Sequence, residues 1–231
     1  MAFINKQNIT KYLLTFILTI HSVFIFGLAL FLSSGNVKWF KGWLFLILFG
    51  ISTLITSFIR IYKNPEINYR KKEVVSENQE WDTIAVSLLG LNTFILLITA
   101  GFDEKLSLYN NVPDIVSYLV LPFTSIYLFV QLWANSVNKY FEGQARIQEG
   151  QTVIEEGPYA IVRHLYYSAS ILFWISTPLA LGSYLALVPG LIGALLMFYR
   201  TTKEDKFLME NLDGYRKYAN KVQYKLFPGI W

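Results

Sequence analysis

The stretch SASILFWISTPLALGSYLALVPGLIGALLMFY, residues 168–199, decides the fold. It is too long for one helical crossing of a ~30 Å hydrocarbon core, which takes ~20 apolar residues. Pro178, Gly182-Ser183 and Pro189-Gly190 interrupt it. Such breaks predict two shorter helices folded back as a hairpin near Leu181 to Tyr184. On its amino-terminal side, Tyr12 to Leu32, Trp43 to Ile61, Ile84 to Gly101 and Ile115 to Val137 each approach the length of one crossing. The pattern predicts an all-α, polytopic integral membrane protein with four spanning helices and a helical hairpin, six membrane elements in total. Beyond it, Leu208, Leu212, Tyr215, Ala219, Val222 and Leu226 recur at three- and four-residue spacing among lysines and arginines. That spacing predicts an amphipathic C-terminal helix lying on the inner membrane surface.

Composition agrees with this class: 54% of the 231 residues are apolar and 17% aromatic, too many for an ordinary soluble domain. The first apolar run is about twice a signal-peptide core and further spans follow, so an uncleaved first helix is expected. Placing the amino terminus in the cytoplasm leaves only Lys38, Lys41 and Lys105 of the twenty basic residues on the outer side. This is the positive-inside bias, and it puts both termini in the cytoplasm. The net charge of +4 follows from that asymmetry and from attraction to anionic membrane lipids, and does not point to nucleic acid. Cysteine is absent, which excludes disulfides, thiolate metal sites and cysteine nucleophiles. With only His21 and His164, no metal centre is expected. Lack of cysteine and of targeting signals fits a bacterial plasma membrane.

Residues 1–137 are read as N-terminal transmembrane helices, and residues 138–231 as a cofactor-binding region with the hairpin and a cytoplasmic tail. The charged segment Tyr62 to Asp82 reads as a solvated inner loop, and Phe102 to Asp114 as an outer turn. Polar residues then gather where the chain re-enters the membrane. Gly157-Pro158 fixes a turn before Tyr159, Arg163, His164 and Tyr167. On a helix, Arg163 and Tyr167 would share one face, suited to an anionic or zwitterionic ligand that arginine grips bidentately. Arg163 alone reads equally well as a positive-inside residue snorkelling at a helix end.

The returning arm of the hairpin brings Arg200 and Glu204 to the same membrane face, as i,i+4 neighbours. Arg200 could orient an acidic substrate and Glu204 accept hydrogen bonds from a ribose or an ammonium; a self-satisfied Arg-Glu pair is the plainer reading. Asp205 falls off that stripe and reads as solvated.

The string Gly-Pro-Tyr-x-x-Val-Arg-His-x-x-Tyr, a hairpin, Arg-x-x-x-Glu-Asp-x-x-Leu, Gly-Tyr-x-x-Tyr and a final Pro-Gly-Ile-Trp resembles the isoprenylcysteine carboxyl methyltransferase family, within a wider group that includes phospholipid N-methyltransferases. Order and spacing match from Asn138 onward, with a weaker likeness at Asn64-Pro65 and Trp81-Asp82. The resemblance implies a membrane enzyme that moves a methyl group from S-adenosylmethionine to a lipophilic acceptor, most simply a carboxylate, leaving S-adenosylhomocysteine. It implies cofactor-binding roles for Gly157, Pro158, Tyr159, Arg163, His164, Tyr167, Glu204 and Asp205. Arg200 and Glu204 are the catalytic candidates, Arg200 for orienting an anionic acceptor and Glu204 as base for an amine.

Two departures stand out: Leu165 where the family has proline, expected to loosen the turn, and Ala169 where it commonly has glycine, expected to narrow the room near the cofactor. Three alternatives remain: an amine or phospholipid N-methyltransferase, an NADPH-dependent oxidoreductase resembling sterol reductases, and a non-catalytic membrane scaffold. The acidic pair favours the methyltransferase over NADPH, whose 2′-phosphate would seek arginine or lysine; Lys203 and Lys206 are the nearest candidates for it.

Overall fold

A computed structural model describes residues 6–63, 76–108 and 112–231. Asn64-Pro65 and much of the charged segment Tyr62 to Asp82 lie outside the described residues. The described chain is all-helical: α1 Lys6–Ser34, α2 Phe40–Lys63, α3 Glu80–Leu106, α4 Asp114–Val120, α5 Phe123–Val137, α6 Leu165–Leu181, α7 Leu187–Asn211 and α8 Tyr215–Lys221, with a 3-10 turn at Gly157–Ala160.

Four segments are long and apolar enough to cross a membrane: Tyr12–Ser34, Phe40–Ile59, Glu80–Leu106 and Asp114–Val137. Leu13, Leu14, Ile17, Leu18 and Phe24 of α1 are exposed, as lipid-facing side chains are. The fourth crossing is two helices, α4 and α5, where the sequence pattern predicts one. Pro122 divides them, because it has no N–H to donate to the preceding turn.

The hairpin forms as expected. Residues 182–186 join α6 to α7, while Pro178 sits in the last turn of α6 and Pro189 in the first turn of α7. The two arms are packed so closely that a Cβ on Gly193 would overlap the Trp174 ring, and one on Gly190 would lie 2.6 Å from the Trp174 carbonyl oxygen. Small residues permit this approach, and helix pairs in lipid gain most of their packing energy from it.

Helix α3 fastens the hairpin at both ends. Asp103 and Asp82 are wholly buried and separated by a helical rise of ~32 Å, about the hydrocarbon thickness. At one end Ser183 Oγ donates to Asp103 Oδ2 at 2.5 Å and accepts from the Ala186 N–H at 3.0 Å, closing the turn. At the other end Asp82 meets Arg200, with Nε 2.8 Å from Oδ1. Midway, Asn92 Nδ2 donates to the Pro189 carbonyl at 2.8 Å. Buried polar groups in a membrane protein require such partners, so the hairpin's position against α3 is specified by them.

The amphipathic tail pattern is divided. Helix α7 runs on to Asn211, Gly214 turns the chain at φ 83°, and α8 covers only Tyr215–Lys221. Leu212, Tyr215, Tyr218 and Val222 bury their side chains with Ile147 in a small core of their own. Their periodic face is thus spent on protein rather than on lipid.

Candidate functional site

Below the hairpin lies an open cleft of about 890 Å³, its mouth included. One wall is the segment from Asn138 to Ile154, a second is Tyr159 with Arg163 to Tyr167, and the third is Glu204 to Leu212 with Tyr215 and Tyr218. Its mixture of aromatic and polar side chains suits a small-molecule site.

Arg163 and Tyr167 do not share a helical face. The segment from Gly157 makes a single 3-10 turn, then Arg163 and His164 donate their backbone N–H groups to the carbonyls of Tyr224 and Lys225, at 3.0 and 2.9 Å. Helix α6 begins only at Leu165. Leu165 therefore holds the first helical position, where a missing N–H is harmless, and the turn is secured by the tail instead. The expected loosening at Leu165 does not occur. Ala169 is buried within α6 and is not on the cleft wall, so it does not narrow the site.

The bidentate grip expected of Arg163 is made, and its partner is Asp205: Nε to Oδ1 is 2.8 Å and Nη2 to Oδ2 is 3.0 Å. Nη1 donates to the carbonyls of Val222 at 2.6 Å and Gln223 at 3.0 Å, satisfying acceptors at the end of α8. Asp205 is not solvated but 2% exposed. It also lies 3.3 Å from His164 Nε2, accepts from Tyr215 Oη at 3.0 Å and has Lys225 Nζ at 3.7 Å. Burial alone would raise its pKa, but the His164 and Arg163 contacts outweigh it and hold the carboxyl well below the usual range. The opposite shift affects the tyrosines around it. Burial, and then the Asp205 carboxylate, push the Tyr215 hydroxyl far up; burial pushes Tyr159 up to about 12, against a lowering hydrogen bond from Asn138.

Tyr167 and Glu204, predicted to converge, are joined: the Tyr167 hydroxyl donates to Glu204 Oε2. The Tyr167 ring stacks on His164 at 5.6 Å, and the Arg200 guanidinium lies 5.1 Å from its centroid. Two polar atoms on the wall, Glu204 Oε1 and His164 Nδ1, have no hydrogen-bond partner among the described residues. Arg200 is not on the wall and does not pair with Glu204. It is bound to Asp82, and its Nη2 donates to the Gly143 carbonyl at 3.1 Å.

Two contributors are not evident from the sequence. Asp82 stands out there only within a weak likeness. The Asn138 to Ile154 wall reads as a connection, although its Tyr140-Phe141 pair is an available signal in a polar loop. Phe141 meets Tyr166 edge-on at 5.3 Å across the cleft's membrane end.

The described fold is that of a helical membrane protein with a polar, aromatic-walled cleft beside the α6–α7 hairpin. Residues 117–210 match the model of the isoprenylcysteine carboxyl methyltransferase (ICMT) family, and over that stretch the chain is similar to this family. That family is one of methyltransferases, and the four segments long and apolar enough to cross a membrane fit a membrane-integral protein. No curated protein matches the chain.

Proposed function

We propose that the chain transfers a methyl group from S-adenosylmethionine to a lipophilic carboxylate. The observation that carries this reading is the charge balance of the cleft. Both arginines on its wall are already neutralised, Arg163 by Asp205 and Arg146 by Glu142, while Glu204 keeps an oxygen without a partner among the described residues. An acidic wall favours a cationic ligand with hydroxyls over a polyanionic one.

The residues present fit S-adenosylmethionine. Glu204 Oε1 is placed to accept from ribose or ammonium groups, His164 Nδ1 is available beside it, and Phe141, Tyr159 and Tyr166 offer aromatic surface for a purine. When bound, the cofactor supplies an electrophilic methyl group on a sulfonium. A carboxylate acceptor is already ionised near neutral pH and needs no base, so the protein's work is alignment and exclusion of water. Arg200 stands behind the wall and would orient the acceptor indirectly, by holding the Tyr167 ring that lines it. The acceptor would arrive from the bilayer and the cofactor from the cytoplasm, as the positive-inside bias orients the cleft.

NADPH fits less well, because its 2′-phosphate would meet no unpaired cation among the described residues of the wall. Lys206 lies 3.8 Å from Glu210 and Lys203 sits over Tyr199, both away from the cleft. Calorimetry of the detergent-purified protein with each cofactor tests the reading. Binding of S-adenosylmethionine or its demethylated product is expected; tight NADPH binding without either would refute it. Isotopically labelled S-adenosylmethionine incubated with membranes, followed by lipid mass spectrometry, then names the acceptor.

A further inference from the structure

We propose that Asp82 is a positioning residue for methyl transfer, clasping Arg200 and the Gly143 to Ala145 wall of the cleft in one arrangement. This rests on the functional reading above. The two carboxylate oxygens of Asp82 serve different donors, since Oδ1 accepts from Arg200 Nε and Oδ2 from the Ala145 backbone N–H, both at 2.8 Å. Arg200 closes the ring by donating from Nη2 to the Gly143 carbonyl at 3.1 Å. Ala145 lines the cleft and Arg200 backs the Tyr167 ring that lines it opposite, so one buried carboxylate sets the spacing of two walls.

The segments around the clasp are zipped in register. The Ile147 N–H donates to Ser76 Oγ at 2.8 Å, and the Ser76 and Gln79 N–H groups donate to the carbonyls of Ile147 and Ala145, each at 3.3 Å. Asp82 is wholly buried and Arg200 is 5% exposed. A carboxylate placed there without this role would be costly, and a neutral residue cannot reproduce it. Asparagine offers one acceptor oxygen where two donors converge, so either Arg200 or Ala145 would face its NH₂.

The test uses the full-length protein in detergent, with S-adenosylmethionine and an S-prenylated N-acetylcysteine as probe acceptor. Asp82→Asn is expected to lower kcat/KM for the acceptor by up to ~100-fold, as a displaced orienting group does. It should also speed amide hydrogen exchange at Ala145 and Ile147 while α6 stays protected, and Asp82→Glu should recover part of both. In an Arg200→Met background, Asp82→Asn should cost little further activity. Wild-type exchange and kcat/KM in Asp82→Asn, or full additivity with Arg200→Met, overturns the proposal. Should Asp82→Asn not fold, the same readouts on Asp82→Glu and Arg200→Lys decide it. If the wild type binds no S-adenosylmethionine, the functional reading fails while the exchange measurement still tests the clasp.

Discussion

Arg163 and Asp205 face each other as a buried fork, two parallel N–H to oxygen contacts of 2.8 and 3.0 Å with both side chains under 5% exposed. The pair joins the turn before α6 to the C-terminal part of α7, and through Nη1 it holds the end of α8. Asp205→Ala would leave Arg163 buried and uncompensated, a loss of roughly 3–5 kcal/mol. A large fall in apparent Tm in detergent is expected. An unchanged Tm would mean the pair contributes no net stability.

The same pair sets an acid limit. Because the Asp205 carboxyl is held below its unfolded value near ~3.9, its stabilisation is complete above that pH and lost as pH falls further. At the alkaline end the sign reverses: Tyr159 is pushed up to about 12, so stability declines as pH rises from ~10, where the unfolded tyrosine ionises first. Thermal unfolding followed across pH should therefore show a plateau from ~4 to ~10 as far as these groups govern it. A stability loss centred near neutral pH would assign control elsewhere.

Glu204 is the charge on the cleft wall with an oxygen to spare. Glu204→Gln keeps the shape and an acceptor for Tyr167 but removes the charge, which weakens hydrogen bonds to a cationic ligand by roughly 1.5–3 kcal/mol. The dissociation constant for S-adenosylmethionine should rise about 10- to 100-fold by calorimetry, with Tm little changed. Equal affinity in wild type and variant would remove Glu204 from the site.

What the sequence discloses divides by sequence distance. The hairpin is legible because its breakers, Pro178, Gly182 and Pro189, act on their own few residues. Pro122 carries the same kind of signal, but a single proline within a 24-residue apolar run is outweighed by the run's length. Tertiary pairing is not legible. Arg200 has Glu204 four residues away on its own helix, yet it pairs with Asp82 at a separation of 118 residues, a choice made by how α3 lies against α7. Asp205 reads as solvated for the same reason: its helical stripe is placed correctly, but Arg163, Tyr215 and Lys225 come from three other segments. The tail's periodicity is genuine and only its partner differs from expectation, since hydrophobic spacing cannot tell lipid from protein.

Leu165→Pro offers a test of how the first cluster is held. Position 165 opens α6, where proline's fixed φ is already helical and its absent N–H is one that no helical carbonyl would accept. The preceding residue, His164, has φ −129° and ψ 51°, outside the helical region that a following proline disfavours. Since the turn is fixed by the N–H groups of Arg163 and His164 on the tail carbonyls, the substitution disturbs none of its hydrogen bonds. It should be neutral or stabilise by ~0.4–1 kcal/mol through the unfolded chain, with S-adenosylmethionine affinity retained. Truncation before Tyr224 should do the reverse, freeing both N–H groups and abolishing binding. A destabilised Leu165→Pro variant, or a truncated protein that binds normally, would show that the turn is held by contacts other than these two.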